Sequence, residues 1–176
     1  MILEEKTLSS EKIYNGKIIN LRIDTVELPD HKYQKREIVE HPGAVAILPI
    51  TDNNEIIMIK QYRKTVEEVL WELPAGKLEV GEDPKKCAIR ELKEETGYSA
   101  QKIELLNIFY TSPGFSDEKM YLYLAKELNE GNPTPDEDEY VEIYKVKIEE
   151  ALKMIEDGKI KDSKTIVGIL LSKELI

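Results

Sequence analysis

At 176 residues, the chain is long enough for one domain with a sizeable core, or for a compact domain with a small appendage. Its net charge of −10 argues against nonspecific binding to nucleic acid or to a membrane surface, and no apolar run approaches the roughly 18 residues of a membrane span. The lone Cys87 cannot form an internal disulfide, and Met1-Ile2-Leu3 runs straight into Glu4-Glu5-Lys6 with no signal-peptide pattern, so a cytoplasmic protein is expected. Cys87 itself reads as small buried filler.

Residues 1–40 read as a strand-rich N-terminal region. Lys17–Leu28 and Lys32–Glu40 alternate as paired strands, with Pro29-Asp30-His31 as their turn. A main body follows over residues 41–147, and two helices close the chain, together a domain over 41–176. Ala44–Ile50 is a buried-strand run, and Glu55–Tyr62 follows a Thr-Asp-Asn-Asn turn. Trp71–Ala75 leads into a glycine loop. Leu105–Tyr110, Glu118–Lys126 and Val141–Ile148 read as further strands, and residues 148–157 and 163–174 as helices, the second capped by Asp162 or Ser163. Strands with few, irregularly placed helices imply an α+β fold.

The most informative segment runs from Gly76 to Tyr98. A loop, Gly76 to Glu82, leads into a helix carrying Arg90-Glu91-Leu92-Lys93-Glu94-Glu95-Thr96-Gly97. Asp83 suits the N-cap, Pro84 the first helical position and Gly97 a left-handed terminator. Ala88, Ile89, Leu92 and Thr96 form a stripe able to pack on a sheet, with Glu91 and Glu95 at its edge. At 100° per residue, Glu91 and Glu95 lie about 40° apart with Glu94 on the same flank. Taken alone, such a run is a solvated helix face. Like charges so close repel, however, and a divalent cation among them explains the cluster better. Oxygen ligands at short spacing suit Mg2+ or Mn2+. Arg90 can brace a glutamate by a charge-assisted bond, or offset charge in solvent.

Gly76, Glu82, Arg90, Glu91, Leu92, Glu94, Glu95 and Gly97 together resemble the Nudix box. That pattern is Gly, five residues, Glu, seven residues, Arg-Glu, an apolar residue, any residue, Glu-Glu, any residue, Gly, then an apolar residue. Tyr98 stands where an aliphatic is usual, a mild departure because its ring can still be buried. The box covers about an eighth of the chain. The resemblance implies an α/β/α sandwich with a mixed sheet, and metal-assisted attack of water on a diphosphate.

Pieces outside the box resemble the ADP-ribose pyrophosphatase branch. They are Lys35-Arg36-Glu37-Ile38, Gln61-Tyr62-Arg63, Trp71-Glu72-Leu73-Pro74-Ala75-Gly76, Ser112-Pro113-Gly114 with its proline fifteen residues after Tyr98, Glu118, and the acidic run 136–139. Ser112-Pro113-Gly114 taken alone is an ordinary turn. The resemblance implies Glu91, Glu95 and Glu94 as metal ligands, joined by the Ala75 carbonyl, with Glu82 as a further ligand or brace. Two or more Mg2+ ions are implied, Mn2+ being an alternative. It further implies Arg36 and Arg63 on phosphate or adenine, and Glu118 near the terminal ribose. Gly76, Ser112 and Tyr33 join these as candidate substrate contacts, Tyr14 and Phe115 as other candidates for stacking. The base is expected on the acidic run, Glu139 first and Glu137 second, although that run also reads as a solvated loop. A homodimer with the N-terminal strands crossing onto the partner is implied, with no nucleic-acid or membrane partner.

The leading reading is Mg2+-dependent hydrolysis of ADP-ribose to AMP and ribose 5-phosphate. One alternative keeps the chemistry and changes the substrate to a nucleotide sugar, a dinucleoside polyphosphate or an oxidised nucleotide. Another is a Nudix-like regulator that binds nucleotides without catalysis, which the intact glutamate cluster and the acidity of the chain oppose.

Overall fold

A computed structural model describes residues 3–134 and 140–173. The chain divides into two units, one formed by the chain up to Gly43 with Tyr110–Lys119, the other by Ala44–Phe109 and the chain from Met120 onward.

The first unit is an antiparallel meander of β1 (Lys6–Asn15), β2 (Asn20–Glu27) and β3 (Tyr33–Glu40). Asn20 pairs with Glu40 and Glu27 with Tyr33, so the expected β2–β3 hairpin forms. Its turn is closed by the Leu28 N–H on the Lys32 carbonyl at 2.8 Å, with His31 in the left-handed region. Strand β1 is the addition. Every residue in it is exposed, so no burial pattern marks it in the sequence. The segment 110–119 is laced to β3, the Val39 N–H donating to the Phe115 carbonyl and the Asp117 N–H to the Val39 carbonyl.

The second unit holds two sheets. In one the order is β7 (Ala75–Lys77), β4 (Ala44–Pro49), β9 (Lys119–Asn129), β8 (Ser99–Tyr110). Strands β4 and β9 run parallel while β7 is antiparallel to β4, so this sheet is mixed. The other is antiparallel, β10 (Val141–Lys147), β5 (Glu55–Arg63), β6 (Glu68–Glu72). Strand β4 is buried along its whole length, as an unbroken apolar run should be. Ala44, Ala46 and Leu48 join a core with Ile148, Ala151 and Met154 of α2 (Ile148–Glu156) and Ile169 of α3 (Ser163–Ser172). Val45 and Ile47 join a second core with Cys87, Ala88 and Leu92 of α1 (Pro84–Thr96). Helices therefore cover both faces, giving the expected α/β/α sandwich. Among the described residues no helix is long and apolar enough to cross a membrane.

Candidate active site

Helix α1 begins and ends where its capping residues direct. The Asp83 side chain accepts from the N–H groups of Lys85 and Lys86, Pro84 opens the helix, and Gly97 at φ 77° closes it with its N–H on the Lys93 carbonyl. Gly97 also permits close packing, since a Cβ there would lie 2.5 Å from the Gly131 carbonyl oxygen. The buried face differs from the expected stripe. Ile89 is 47% exposed, whereas Cys87, Glu91 and Glu95 are buried beside Ala88, Leu92 and Thr96. A glutamate, not an aliphatic, sits mid-face, and counting apolar residues alone displaced the stripe.

That buried glutamate ties the helix to the glycine loop. Glu95 is 1% exposed, and its Oε2 accepts the Ala75 N–H at 2.9 Å. Next along β7, a Cβ on Gly76 would come within 2.0 Å of the Glu91 carboxylate. Glycine is required there because the carboxylate lies directly against the strand. Ala75 and Gly76 are held in turn by pairing with Ala46 and Val45 of β4.

Arg90 gathers the remaining carboxylates. Its Nε and Nη2 donate to the two oxygens of Glu82 at 3.1 and 3.2 Å, and its Nη1 to Glu91 at 2.7 Å and Glu94 at 2.9 Å. Arg90 and the Glu79 N–H hold the Glu82 carboxyl down to about 2. Glu82 in turn is the largest cause raising the Arg90 guanidinium above its ordinary value. Burial first, then neighbouring Glu82, pushes the Cys87 thiol up to about 12, so it is no nucleophile.

The donors at this junction are oxygens throughout, which suits a hard divalent cation. Among the described residues, no three acidic, histidine or cysteine side chains already form a cation cage. Arg90 is the counter-ion that three of these glutamates share, so a divalent cation would compete with it for Glu91 and Glu94. The Gly76 cradle and the Ala75 strand end are built to seat the carboxylates, and the residues fit such an ion.

Arg63, at the end of β5, is bidentate with Glu72 of β6 at 2.7 and 2.8 Å. Glu72 is 1% exposed and also bonds the Lys164 ammonium from α3. No sequence pattern marks Lys164, and Glu72 stands in the sequence only as part of a flanking piece. A buried ion pair 92 residues apart leaves no periodic trace.

Arg36, Ser112, Glu118 and Tyr33 belong to the other unit. Arg36 makes a bidentate pair with Glu5 at 2.8 and 2.7 Å, beside a cleft of about 450 Å³ lined also by Arg22, Ile38, Phe115 and Asp117. The Ser112 carbonyl accepts the N–H groups of Phe115 and Ser116, forming the expected turn. Glu118 accepts the Thr111 hydroxyl at 2.6 Å and lies 3.7 Å from His41 Nδ1. Tyr33, Tyr14 and Phe115 are all more than half exposed. Glu137 and Glu139 lie outside the described residues. Thr134, the last described residue before them, donates its N–H to the Glu94 carbonyl at 2.9 Å.

Residues 40–166 match the NUDIX domain, and residues 5–39 the nucleoside diphosphate sugar hydrolase N-terminal domain. An ADP-ribose pyrophosphatase of Bacillus subtilis (strain 168) is 53% identical over 169 residues, covering 95% of this chain and 91% of the relative. A methanol dehydrogenase activator of Bacillus methanolicus is 49% identical, covering 96% and 92%. An ADP-ribose pyrophosphatase of Mycobacterium tuberculosis (strain ATCC 25618 / H37Rv) is 44% identical, covering 94% and 81%. A crystal structure of an ADP compounds hydrolase superposes with a TM-score of 0.87 at 22% identity, over 99% of this chain and 95% of that one, a likeness of fold. The chain belongs to the Nudix domain family.

Proposed function

We propose that this protein is a Mg2+-dependent diphosphatase that adds water across the diphosphate of ADP-ribose, giving AMP and ribose 5-phosphate. The observation that carries the reading is the meeting of Ala75, Gly76, Glu91 and Glu95 where the glycine loop joins α1. It is supported by the 53% and 44% identical relatives named for that activity.

Nudix hydrolases generally use divalent metal ions. Glu91, Glu95, Glu94 and the Ala75 carbonyl would hold two or more Mg2+ ions, with Glu82 as a further ligand or brace and Mn2+ as an alternative. Bound there, the ions would screen the bridging phosphates and lower the pKa of water. The chain's own residues do the rest. Gly76 lets the Glu91 carboxylate lie against the strand, and Ala75 fixes Glu95 in a buried place. Arg90 balances Glu82, Glu91 and Glu94. Arg63 has one guanidinium edge on Glu72, which leaves Nη1 for a phosphate oxygen. Glu139, or Glu137, takes the proton of the attacking water. Arg36 belongs to this reading as a phosphate or adenine contact, Glu118 as a contact near the terminal ribose, and Ser112 and Tyr33 as further substrate contacts.

The domain assignment of 1–40 as a dimer-forming region and 41–176 as the hydrolase belongs to this reading. Leu8, Ile13 and Tyr14 of β1 are exposed among the described residues, which supports a homodimer closed over that strand. The single cysteine, buried and unpaired, supports a reducing cytoplasm.

A second substrate class has its own support. The N-terminal match is to a nucleoside diphosphate sugar hydrolase domain, and a GDP-mannose pyrophosphatase of Yersinia enterocolitica is 34% identical. A substrate panel with purified protein and Mg2+ separates the two. ADP-ribose is expected to give the highest kcat/KM, with AMP as product. A panel in which ADP-ribose is inert removes the proposal, and faster turnover of a nucleotide sugar transfers it to that class.

A further inference from the structure

The first turn of α3 grips the chain just ahead of the glycine loop. Asp162 caps the helix by accepting from the Thr165 N–H at 3.0 Å and its hydroxyl at 2.5 Å. The Thr165 Oγ then accepts the Leu73 N–H at 2.8 Å. Gly168 is pressed so closely on Leu73 that a Cβ would lie 2.5 Å from Leu73 Cδ1. Two residues beyond Leu73 is Ala75, whose N–H holds Glu95.

Lys164 lies between these anchors at 9% exposure. A lysine is seldom so buried without a firm partner. Its ammonium bonds Glu72 and lies 3.0 Å from Asp162. Glu72 Oε2 therefore accepts from two cations, Lys164 and Arg63 Nη2, while Oε1 accepts from Arg63 Nε. Charges alternate from Asp162 through Lys164 and Glu72 to the Arg63 guanidinium, which also feels the charges of Glu95 and Asp162, and the Glu72 bonds take up its Nε and Nη2. A lone carboxylate against Arg63 would cancel its charge. Held from its other side by Lys164, the Glu72 carboxylate is fixed in place and in turn fixes the guanidinium that grips it.

We propose that Lys164 is a positioning residue for Arg63, acting through Glu72 to present the guanidinium's second edge to a substrate phosphate. The inference rests on the reading of Arg63 as a phosphate contact. Lys164 itself bonds Glu72 and Asp162 rather than a box glutamate, so its loss should appear in binding before it appears in turnover.

The test uses the full chain with ADP-ribose and Mg2+, together with calorimetric titration of ADP-ribose in EDTA. Lys164→Met is expected to raise KM about tenfold with kcat within about twofold, and to weaken metal-free binding by a like factor. Arg63→Ala with Lys164→Met should bind no more weakly than Arg63→Ala alone, because both act on one group. If Lys164→Met fails to fold, judged by its melting curve, Lys164→Gln gives the same reading. A folded Lys164 variant with wild-type KM, or a double variant whose losses multiply, overturns the proposal. Arg63→Ala with unchanged KM removes instead the reading of Arg63 on which the proposal stands.

Discussion

The Ala75 N–H donates to Glu95 Oε2 at 2.9 Å, across 20 residues of sequence. That bond joins the end of β7 to the middle of the buried face of α1. One of the carboxylates read as metal ligands is thus also a fixture of the fold, set before any ion arrives. In the proposed reaction such preorganisation would keep the oxygens in place without reorganisation.

Glu95→Gln separates the two duties. An amide oxygen can still accept the Ala75 N–H, so thermal melting should shift by less than about 1 kcal/mol equivalent. Turnover should fall roughly 10²-fold or more, because the charge is lost. Wild-type kcat in a folded Glu95→Gln protein would break the assignment.

Gly76→Ala tests the close approach of Glu91 to the strand. The added methyl would lie 2.0 Å from the carboxylate, so either Glu91 or β7 must move. We expect a stability loss of roughly 1–3 kcal/mol and a loss of activity larger than that of Gly81→Ala. Gly81 is a useful control because a Cβ there meets nothing within 4 Å, although its φ of 78° adds some strain.

Acid sensitivity should trace to Glu72. Burial by itself would raise its pKa, but the Arg63 bonds and the Lys164 charge hold it below its ordinary 4.5. A carboxyl lowered in the fold adds stability that is complete above about pH 4.5 and disappears as pH falls through the lowered value. Urea midpoints compared at about pH 7 and about pH 3 should therefore show a larger acid loss in the wild type than in Glu72→Gln. At neutral pH the variant should be less stable by roughly 1–3 kcal/mol. Equal acid losses in both proteins would contradict the role given to this pair.

Cys87 should be inert. It is fully buried and its thiol is pushed up to about 12. A disulfide reagent at about pH 8 should leave the native thiol unmodified while reacting at once in denaturant. Rapid modification of the folded protein would show that α1 opens at this point.

Much of the second unit was legible because its signals are local. An unbroken apolar run marked β4, and Asp83, Pro84 and Gly97 marked the ends of α1 by their own backbone chemistry. Strand β1 was hidden because no face of it is buried, so alternation carried no information. The face of α1 was misplaced because Glu95 lies where a periodicity count expects an aliphatic, with Ile89 outside. Lys164 was invisible for another reason. Its meaning comes from Glu72, which only the tertiary fold brings near. The box named the carboxylates, but the device that aims Arg63 lies on the last helix.

Titration of Mn2+ into the protein with a non-hydrolysable ADP-ribose analogue, followed by electron paramagnetic resonance, tests the central claim most directly. Saturable binding that drops sharply in both Glu91→Gln and Glu95→Gln is predicted, with melting curves close to wild type. Unchanged Mn2+ binding in those two variants would contradict it.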